Sequence, residues 1–149
     1  MINVPFKKLN PTAVVPEYMT DGAAGADLSA CLDRPMIVEK GQRVRVPTGL
    51  SVEIPKGFEI QVRPRSGLAF KKGLTILNAP GTIDSDYRGE IQVILINLSE
   101  GVQTIEPGER IAQAVLNQVQ QICFEEKTEL SSTQRGEGGF GSTDSSARK

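Results

Sequence analysis

The middle of the chain alternates apolar and polar residues in short runs, a pattern typical of β-strands with one solvent-exposed face. Three such runs lie at 42–47, 49–55 and 58–64. Glycines separate the runs at intervals of about eight residues or a small multiple, and prolines stand at several run ends. This spacing predicts an all-β domain, a sandwich or jelly roll of short strands.

Two later runs have mixed patterns. Residues 90–97 alternate at first and become continuously apolar from Val93 to Ile96, which predicts a central strand buried on both faces. Residues 110–119 combine strand and helix periodicities. We interpret them as a strand, with a helix as the alternative.

One short helix is predicted at 66–72. Ser66 would cap its first turn, Leu68 and Phe70 would pack against the sheets, and Gly73 would end it. Seven residues form only about two helical turns.

The composition changes after Leu130, where Ser and Gly dominate and Phe140 is the one large apolar residue. Such a composition is typical of a disordered tail. However, an arginine precedes this phenylalanine and two hydroxyl residues follow it, as in a segment that closes over phosphates. We therefore predict a single domain at 1–130 and a flexible C-terminal arm at 131–149.

The composition excludes several kinds of chemistry. The 149 residues include no histidine, which removes Ser-His-Asp catalysis and His-ligated zinc. The two cysteines, Cys31 and Cys123, are interpreted as small buried apolar residues in a reducing compartment. Catalysis must then use carboxylates, amides, Arg, Lys, hydroxyls or an oxygen-preferring metal such as Mg²⁺.

Charge and hydropathy limit the partners. Seventeen basic and 18 acidic residues leave a net charge of −1, and no basic block could follow a nucleic acid backbone. The first eight residues have no apolar signal region, and no stretch approaches the roughly 20 apolar residues of a membrane span. We expect a cytoplasmic protein that binds neither nucleic acid nor membrane.

A candidate anion site lies where the strand at 58–64 meets the predicted helix. Arg65 offers a guanidinium, Ser66 a hydroxyl, and Gly67 lies in the first helical turn, whose amides favour an anion. The alternative is a simple serine cap beside two solvated arginines.

A second candidate site is the segment 78–89. Asn78 and Gly81 indicate a turn followed by a β-hairpin, whose backbone groups could pair with the edge of a planar base. Asp84 is then the candidate base for a water. The alternative is a turn with solvated acids.

Asp27, in an apolar strand, needs an arginine or a hydrated metal as partner, whereas Gln113 alone indicates only a half-exposed strand residue.

Five segments in order closely resemble the five motifs of the homotrimeric dUTP pyrophosphatases (dUTPases): AGADLSA, RPRSGLA, NAPGTIDSDYRGEI, GERIAQ and RGEGGFGST. The resemblance extends from residue 24 to residue 143. It implies a distorted jelly-roll subunit, a threefold homotrimer and active sites at subunit interfaces. It also implies Mg²⁺-dependent hydrolysis of dUTP to dUMP and pyrophosphate, which keeps uracil out of DNA and supplies dUMP for thymidylate synthesis.

The same resemblance implies roles for single residues. Asp84 would orient the attacking water and hold the 3′-hydroxyl of the deoxyribose. Tyr87 would pack under the sugar, while Asn78 and the backbone around Gly81 and Ile83 would read uracil.

Phosphate contacts are implied for Arg65, Ser66, Gly67 and Gln113, with Asp27 supporting a hydrated metal or a neighbouring arginine. In the arm, Arg135 would bind the distal phosphate and Phe140 would stack over uracil. Gly141, Ser142 and Thr143 would close on the phosphates. One departure from the family pattern is Asp144, where a glycine is common.

Two other functions remain open from the sequence. A dCTP deaminase of the same fold is the nearer one, and a nucleotide-binding module without activity is the other. Asp84 and the complete arm favour the hydrolase over both.

Overall fold

The computed structural model describes residues 2–140. In chain order this part of the protein forms β1 (Phe6–Lys8), β2 (Ala26–Ser29), β3 (Met36–Val38), β4 (Arg43–Pro47), β5 (Leu50–Val52), β6 (Phe58–Arg63), α1 (Ser66–Lys72), β7 (Leu74–Ile76), β8 (Gly81–Ile83), β9 (Gln92–Asn97), β10 (Gln103–Ile105) and β11 (Arg110–Gln118). The seven-residue helix is far too short to cross a membrane, and none of the described residues belongs to a helix that could.

All strand pairings among these residues are antiparallel. The largest sheet has the order β2-β11-β6-β8, a second has the order β4-β9-β7, and two strand pairs, β1-β5 and β10-β3, complete the fold. The expectation of an all-β domain of jelly-roll type is confirmed.

The strand predictions agree with the structure in place and type. The three alternating runs contain β4, β5 and β6, and residues 110–119 form β11 rather than a helix. Strand β11 pairs with β2 on one side and with β6 on the other, so pairing on both edges stabilises the extended backbone.

Strand β9 is central, as predicted, but only one of its faces is fully buried. Val93 and Leu95 are inaccessible to solvent, whereas Ile94 and Ile96 are half-buried. The continuous apolar run therefore does not indicate burial on both faces within one chain. It leaves Ile94 and Ile96 half-exposed on a sheet face where the paired residues are Arg43, Arg45 and Thr75.

The helix has the predicted bounds, but two details of the prediction were wrong. Arg65 is the N-cap, no side chain caps the helix, and Ser66 is already the first helical residue. Phe70 is 93% exposed, because it lies two positions from the buried Leu68 and so on the opposite helix face. Gly73 ends the helix with φ of 63°, as predicted.

The hairpin predicted within 78–89 does not form. Strand β8 pairs with β6, and the chain then turns at 84–87, where the Tyr87 amide donates to the Asp84 carbonyl oxygen. Strand β9, the next in the sequence, belongs to a different sheet. Local turn residues indicated that the chain reverses, but not which strand pairs with β8. That partner is set by sheet packing.

The last strand ends at Gln118, and residues 119–140 contain neither strand nor helix. Residues 119–130, which the prediction assigns to the domain, are exposed in the single chain.

Candidate active site

A buried carboxylate organises the first part of the candidate site. Asp27 on β2 is 6% exposed, and it contacts Arg65 (Nε to Oδ1, 3.3 Å) and Arg110 (Nη1 to Oδ2, 3.2 Å). The Gln113 side-chain amide also donates to Oδ1, at 3.3 Å. Two arginines against one carboxylate leave a net positive charge. Of the two partners expected for Asp27, an arginine or a hydrated metal, the structure supplies arginines.

Arg110 is a member of this cluster that the sequence reasoning did not single out. In a regular strand, residues 110 and 113 point to opposite faces. The pairing of β11 with β2 contains an irregularity between Arg110 and Ala112, however, and it brings Arg110 and Gln113 to the same carboxylate. Strand periodicity therefore conceals this contact. The segment GERIAQ is the only sequence signal for it.

The first turn of α1 borders the arginine cluster. Its first internal hydrogen bond runs from the Ala69 amide to the Arg65 carbonyl, so the amides of residues 66–68 have no intrahelical acceptor. Ser66 and Gly67 are exposed, and a side chain at Gly67 would meet nothing within 4 Å. Arg65 is held in place by a 2.9 Å bond from Nη1 to the Arg110 carbonyl. These groups together can bind phosphate oxygens.

The residues proposed to read the base lie around a strand edge that has no partner strand among residues 2–140. Strand β8 is the edge of the four-stranded sheet, with Gly81 opposite Val62 and Ile83 opposite Ile60. A Cβ at Gly81 would lie 3.5 Å from the Asn78 side-chain nitrogen, so this amide is beside the strand. The free backbone groups of β8 can pair with the edge of a planar base.

Asp84 and Tyr87 line a small pocket. Its volume is about 170 Å³, and its other lining residues are Thr82, Ile83, Glu90 and Gln92. This is below the roughly 300 to 1,000 Å³ typical of small-molecule sites, so it can hold one ring of a nucleotide but not a triphosphate. The Asp84 carboxylate makes no hydrogen bond or ion pair within residues 2–140, which leaves its oxygens free for water.

Asp84 also lines a larger groove of about 1060 Å³. Four acidic side chains line it, against two basic ones, Lys56 and Arg88. A triphosphate would be repelled by this excess of carboxylates. Size alone therefore does not identify the phosphate site.

Asp84 and the arginine cluster lie apart within one subunit. Gln113 pairs with Arg63, whereas Ile83, next to Asp84, pairs with Ile60 three residues away on β6. The separation is about 10 Å along the strands and about 10 Å across them. A general base must reach its water directly or through one further water, so these groups do not form one reaction centre within a single chain.

The described arm residues make no hydrogen bond or ion pair to either part of the site. Arg135 donates to the Gly138 carbonyl within its own turn, at 2.7 Å, and Phe140 is fully exposed. Gly141, Ser142 and Thr143 lie outside the described residues, so their predicted contacts stay predictions.

Comparison with known proteins agrees with these motifs. The sequence profile described as dUTPase matches residues 12–144. The chain belongs to the dUTPase family. A deoxyuridine 5′-triphosphate nucleotidohydrolase of Treponema denticola is 60% identical over 138 residues, covering 93% of this chain and 96% of the relative. The enzyme of the same name from Chlamydia pneumoniae is 57% identical over 142 residues, covering 95% and 98%.

Solved dUTPases have the same fold. A mutant dUTPase of Staphylococcus bacteriophage 80alpha, determined with dUpNHpp, superposes with a TM-score of 0.87 at 26% identity, over 96% of this chain and 99% of the other. A dUTPase mutant of phage phi11 of S. aureus, described as revealing the coordination of a structural Mg(II) ion, gives a TM-score of 0.79 at 21% identity. It covers 88% of this chain and all of the phage chain.

The described residues offer Mg²⁺ no protein site of its own, so the ion would be held mainly by nucleotide phosphates and waters. Mg²⁺ keeps several waters and binds through one or two carboxylates and substrate phosphates. Among residues 2–140, no three acidic, cysteine or histidine side chains form a cluster that could hold a metal. Asp27 is the near acid, and its oxygens already accept from Arg65, Arg110 and Gln113. The predicted indirect role of Asp27, through water, stays a prediction.

Proposed function

We propose that this chain hydrolyses dUTP to dUMP and pyrophosphate by attack of water on the α-phosphate, with Asp84 as the residue that orients the water. The nucleotidohydrolase activity follows from membership of the dUTPase family, and the names of the relatives favour it over the deaminase. The observation that supports the role of Asp84 is its carboxylate, which makes no hydrogen bond or ion pair within residues 2–140 and lines a pocket sized for one ring, beside the edge strand β8.

The active site is shared between subunits of a threefold trimer. This proposal is supported by the separation of Asp84 from the arginine cluster and by the lack of any hydrogen bond or ion pair between the described arm residues and either group. Asp84 of one subunit then faces Arg65, Ser66, Gly67 and Gln113 of a neighbour. The half-exposed side chains of Ile94 and Ile96 would be covered in such an assembly.

The reaction requires positioning and charge neutralisation more than a strong base. The guanidinium of Arg65, the first-turn amides and Gln113 bind the phosphates, and Asn78 with the backbone of Gly81 and Ile83 binds uracil. Asp84 accepts from the sugar hydroxyl and from the attacking water. When bound, Mg²⁺ would neutralise phosphate charge, and Asp27 would support it indirectly through water. Arg135, Phe140, Gly141, Ser142 and Thr143 close the site and exclude bulk solvent other than the attacking water.

Cytoplasmic location is part of the same proposal. Cys31 and Cys123 are not joined in a disulfide, and neither is buried as predicted, because Cys31 is half-buried and Cys123 is exposed. Unpaired thiols are typical of a reducing compartment.

The decisive assay is pyrophosphate release from dUTP, with dCTP as a matched nucleotide. We expect release from dUTP only, and no ammonia from dCTP. Ammonia from dCTP would indicate the deaminase, and no product from either nucleotide would indicate a binding module. The molar mass of the protein in solution tests whether it forms the trimer that a shared site requires. It should be three times the 16.1 kDa of the chain.

Replacing Tyr87 with alanine should narrow the preference for dUTP over UTP. A ring packed against the sugar leaves no room for a 2′-hydroxyl, and its removal opens that space. The measurement is kcat/KM for both nucleotides in the parent and the variant, and we expect the ratio to fall about 10-fold or more. An unchanged ratio would place the discrimination on another residue.

A further inference from the structure

The ring of Tyr87 occupies the space beside Gly89 that a side chain would otherwise fill. A Cβ at residue 89 would lie 2.5 Å from Tyr87 Cζ and 2.9 Å from Cε2, and it would also overlap the phenol oxygen. The phenol donates to the Glu90 carbonyl oxygen at 3.0 Å. The ring therefore folds back over residue 89, and the hydrogen bond to residue 90 fixes its far end.

Glycine at position 89 provides space rather than an unusual backbone. Its φ lies outside the left-handed region that favours glycine, unlike Gly41, Gly49 or Gly57. Alanine could therefore adopt the backbone of residue 89 without strain. The clash that it would create is with the movable end of the Tyr87 side chain.

The surrounding backbone is anchored, so the ring is the group that would move. The Arg88 carbonyl accepts from Ser51 Oγ at 2.6 Å, and Arg88 Nη1 donates to the Ser85 carbonyl at 2.7 Å. The Tyr87 amide donates to the Asp84 carbonyl at 3.2 Å. The Tyr87 side chain is 43% exposed, so solvent offers it room to rotate.

We propose that Gly89 is a positioning residue that sets the orientation of the Tyr87 ring, and through it the selection of 2′-deoxyribonucleotides. This inference rests on the proposed function, in which Tyr87 packs under the sugar. A ring held against residues 89 and 90 presents a fixed surface at the pocket that Tyr87 and Asp84 share. A ring released from them would tolerate the additional hydroxyl of a ribonucleotide.

The first test compares Gly89→Ala with Gly22→Ala. Gly22 is a matched control, because a Cβ there meets nothing within 4 Å and its φ also lies outside the left-handed region. We expect the ratio of kcat/KM for dUTP over UTP to fall about 10-fold in Gly89→Ala and to stay unchanged in Gly22→Ala. An equal dUTP-over-UTP ratio in the parent, Gly89→Ala and Gly22→Ala would overturn the proposal.

A double-mutant cycle with Tyr87→Ala shows whether Gly89 acts through the ring. Adding Gly89→Ala to Tyr87→Ala should leave the ratio unchanged, because no ring remains to displace. Independent, additive effects would contradict the proposal. If Gly89→Ala alone does not fold, the double variant should, since the clash is then absent. Misfolding of both variants would show that the backbone, rather than the Tyr87 ring, requires glycine at position 89. That outcome would reject the inference.

A spectroscopic measurement separates this inference from the proposed function. The chain has no tryptophan and only two tyrosines, Tyr18 and Tyr87. In a Tyr18→Phe background, the emission anisotropy of Tyr87 should fall on Gly89→Ala, because the ring loses its contact and its hydrogen bond. Unchanged anisotropy would refute the positioning role. Failure of the parent to hydrolyse dUTP, with the anisotropy change present, would refute the proposed function alone.

Discussion

Replacing Asp84 with asparagine is expected to lower kcat for dUTP by about 10²- to 10⁴-fold, the range of a lost general base. Asparagine has nearly the same shape and can still accept from the sugar hydroxyl, but it is too weak a base to activate water. Because the Asp84 side chain makes no hydrogen bond or ion pair within residues 2–140, the substitution removes no described structural contact. KM should therefore change little, and the thermal stability should be retained.

The matched control for this variant is Asp86→Asn. Asp86 is an exposed acid in the same turn and lines the large groove, but not the small pocket. Single-turnover rates of pyrophosphate formation should drop for Asp84→Asn and stay near the parent value for Asp86→Asn. If Asp84→Asn hydrolysed dUTP within a few-fold of the parent, the attacking water would have to be oriented by another group.

The strands were predictable because their alternation is a local property of the sequence. The runs that contain β4, β5 and β6 each bury one face, and the glycine spacing marks their ends. Sheet membership is not a local property, which is why β8 was wrongly expected in a hairpin when it pairs with β6. The exposure of Phe70 had a local signal that was overlooked, since helix geometry places it opposite Leu68.

The candidate site was predictable where chemistry-bearing residues are adjacent in sequence, as in 65–67 and 84–87. The contact of Arg110 with Asp27 was not, because it depends on an irregular register between strands that are distant in sequence. The close approach of Tyr87 to Gly89 also depends on the three-dimensional fold, since the segment YRG alone does not show that the ring turns back. In both cases the decisive information is a three-dimensional contact rather than a pattern.

Deleting the chain from Gln134 onward is expected to lower kcat/KM for dUTP by at least about 100-fold, while folding and trimer formation persist. None of residues 134–140 is buried, and the last strand ends at Gln118, so the thermal stability should change little. The loss corresponds to about 2.7 kcal/mol of transition-state stabilisation. Several contacts from Arg135, Phe140, Ser142 and Thr143 can account for it. Activity within a few-fold of the parent would remove the arm from the mechanism.

Mixed trimers test whether each arm serves another subunit. Neither arm-deleted nor Asp84→Asn subunits should hydrolyse dUTP well alone. After subunit exchange, however, some sites should combine an intact Asp84 from one chain with an intact arm from another. The control exchanges arm-deleted subunits with Asp84→Asn subunits that also lack the arm, and these trimers should stay inactive because no arm is present. No recovery in the first mixture, with exchange verified by mass, would contradict an arm shared between subunits. It would require Arg135 and Phe140 to reach the Asp84 of their own chain.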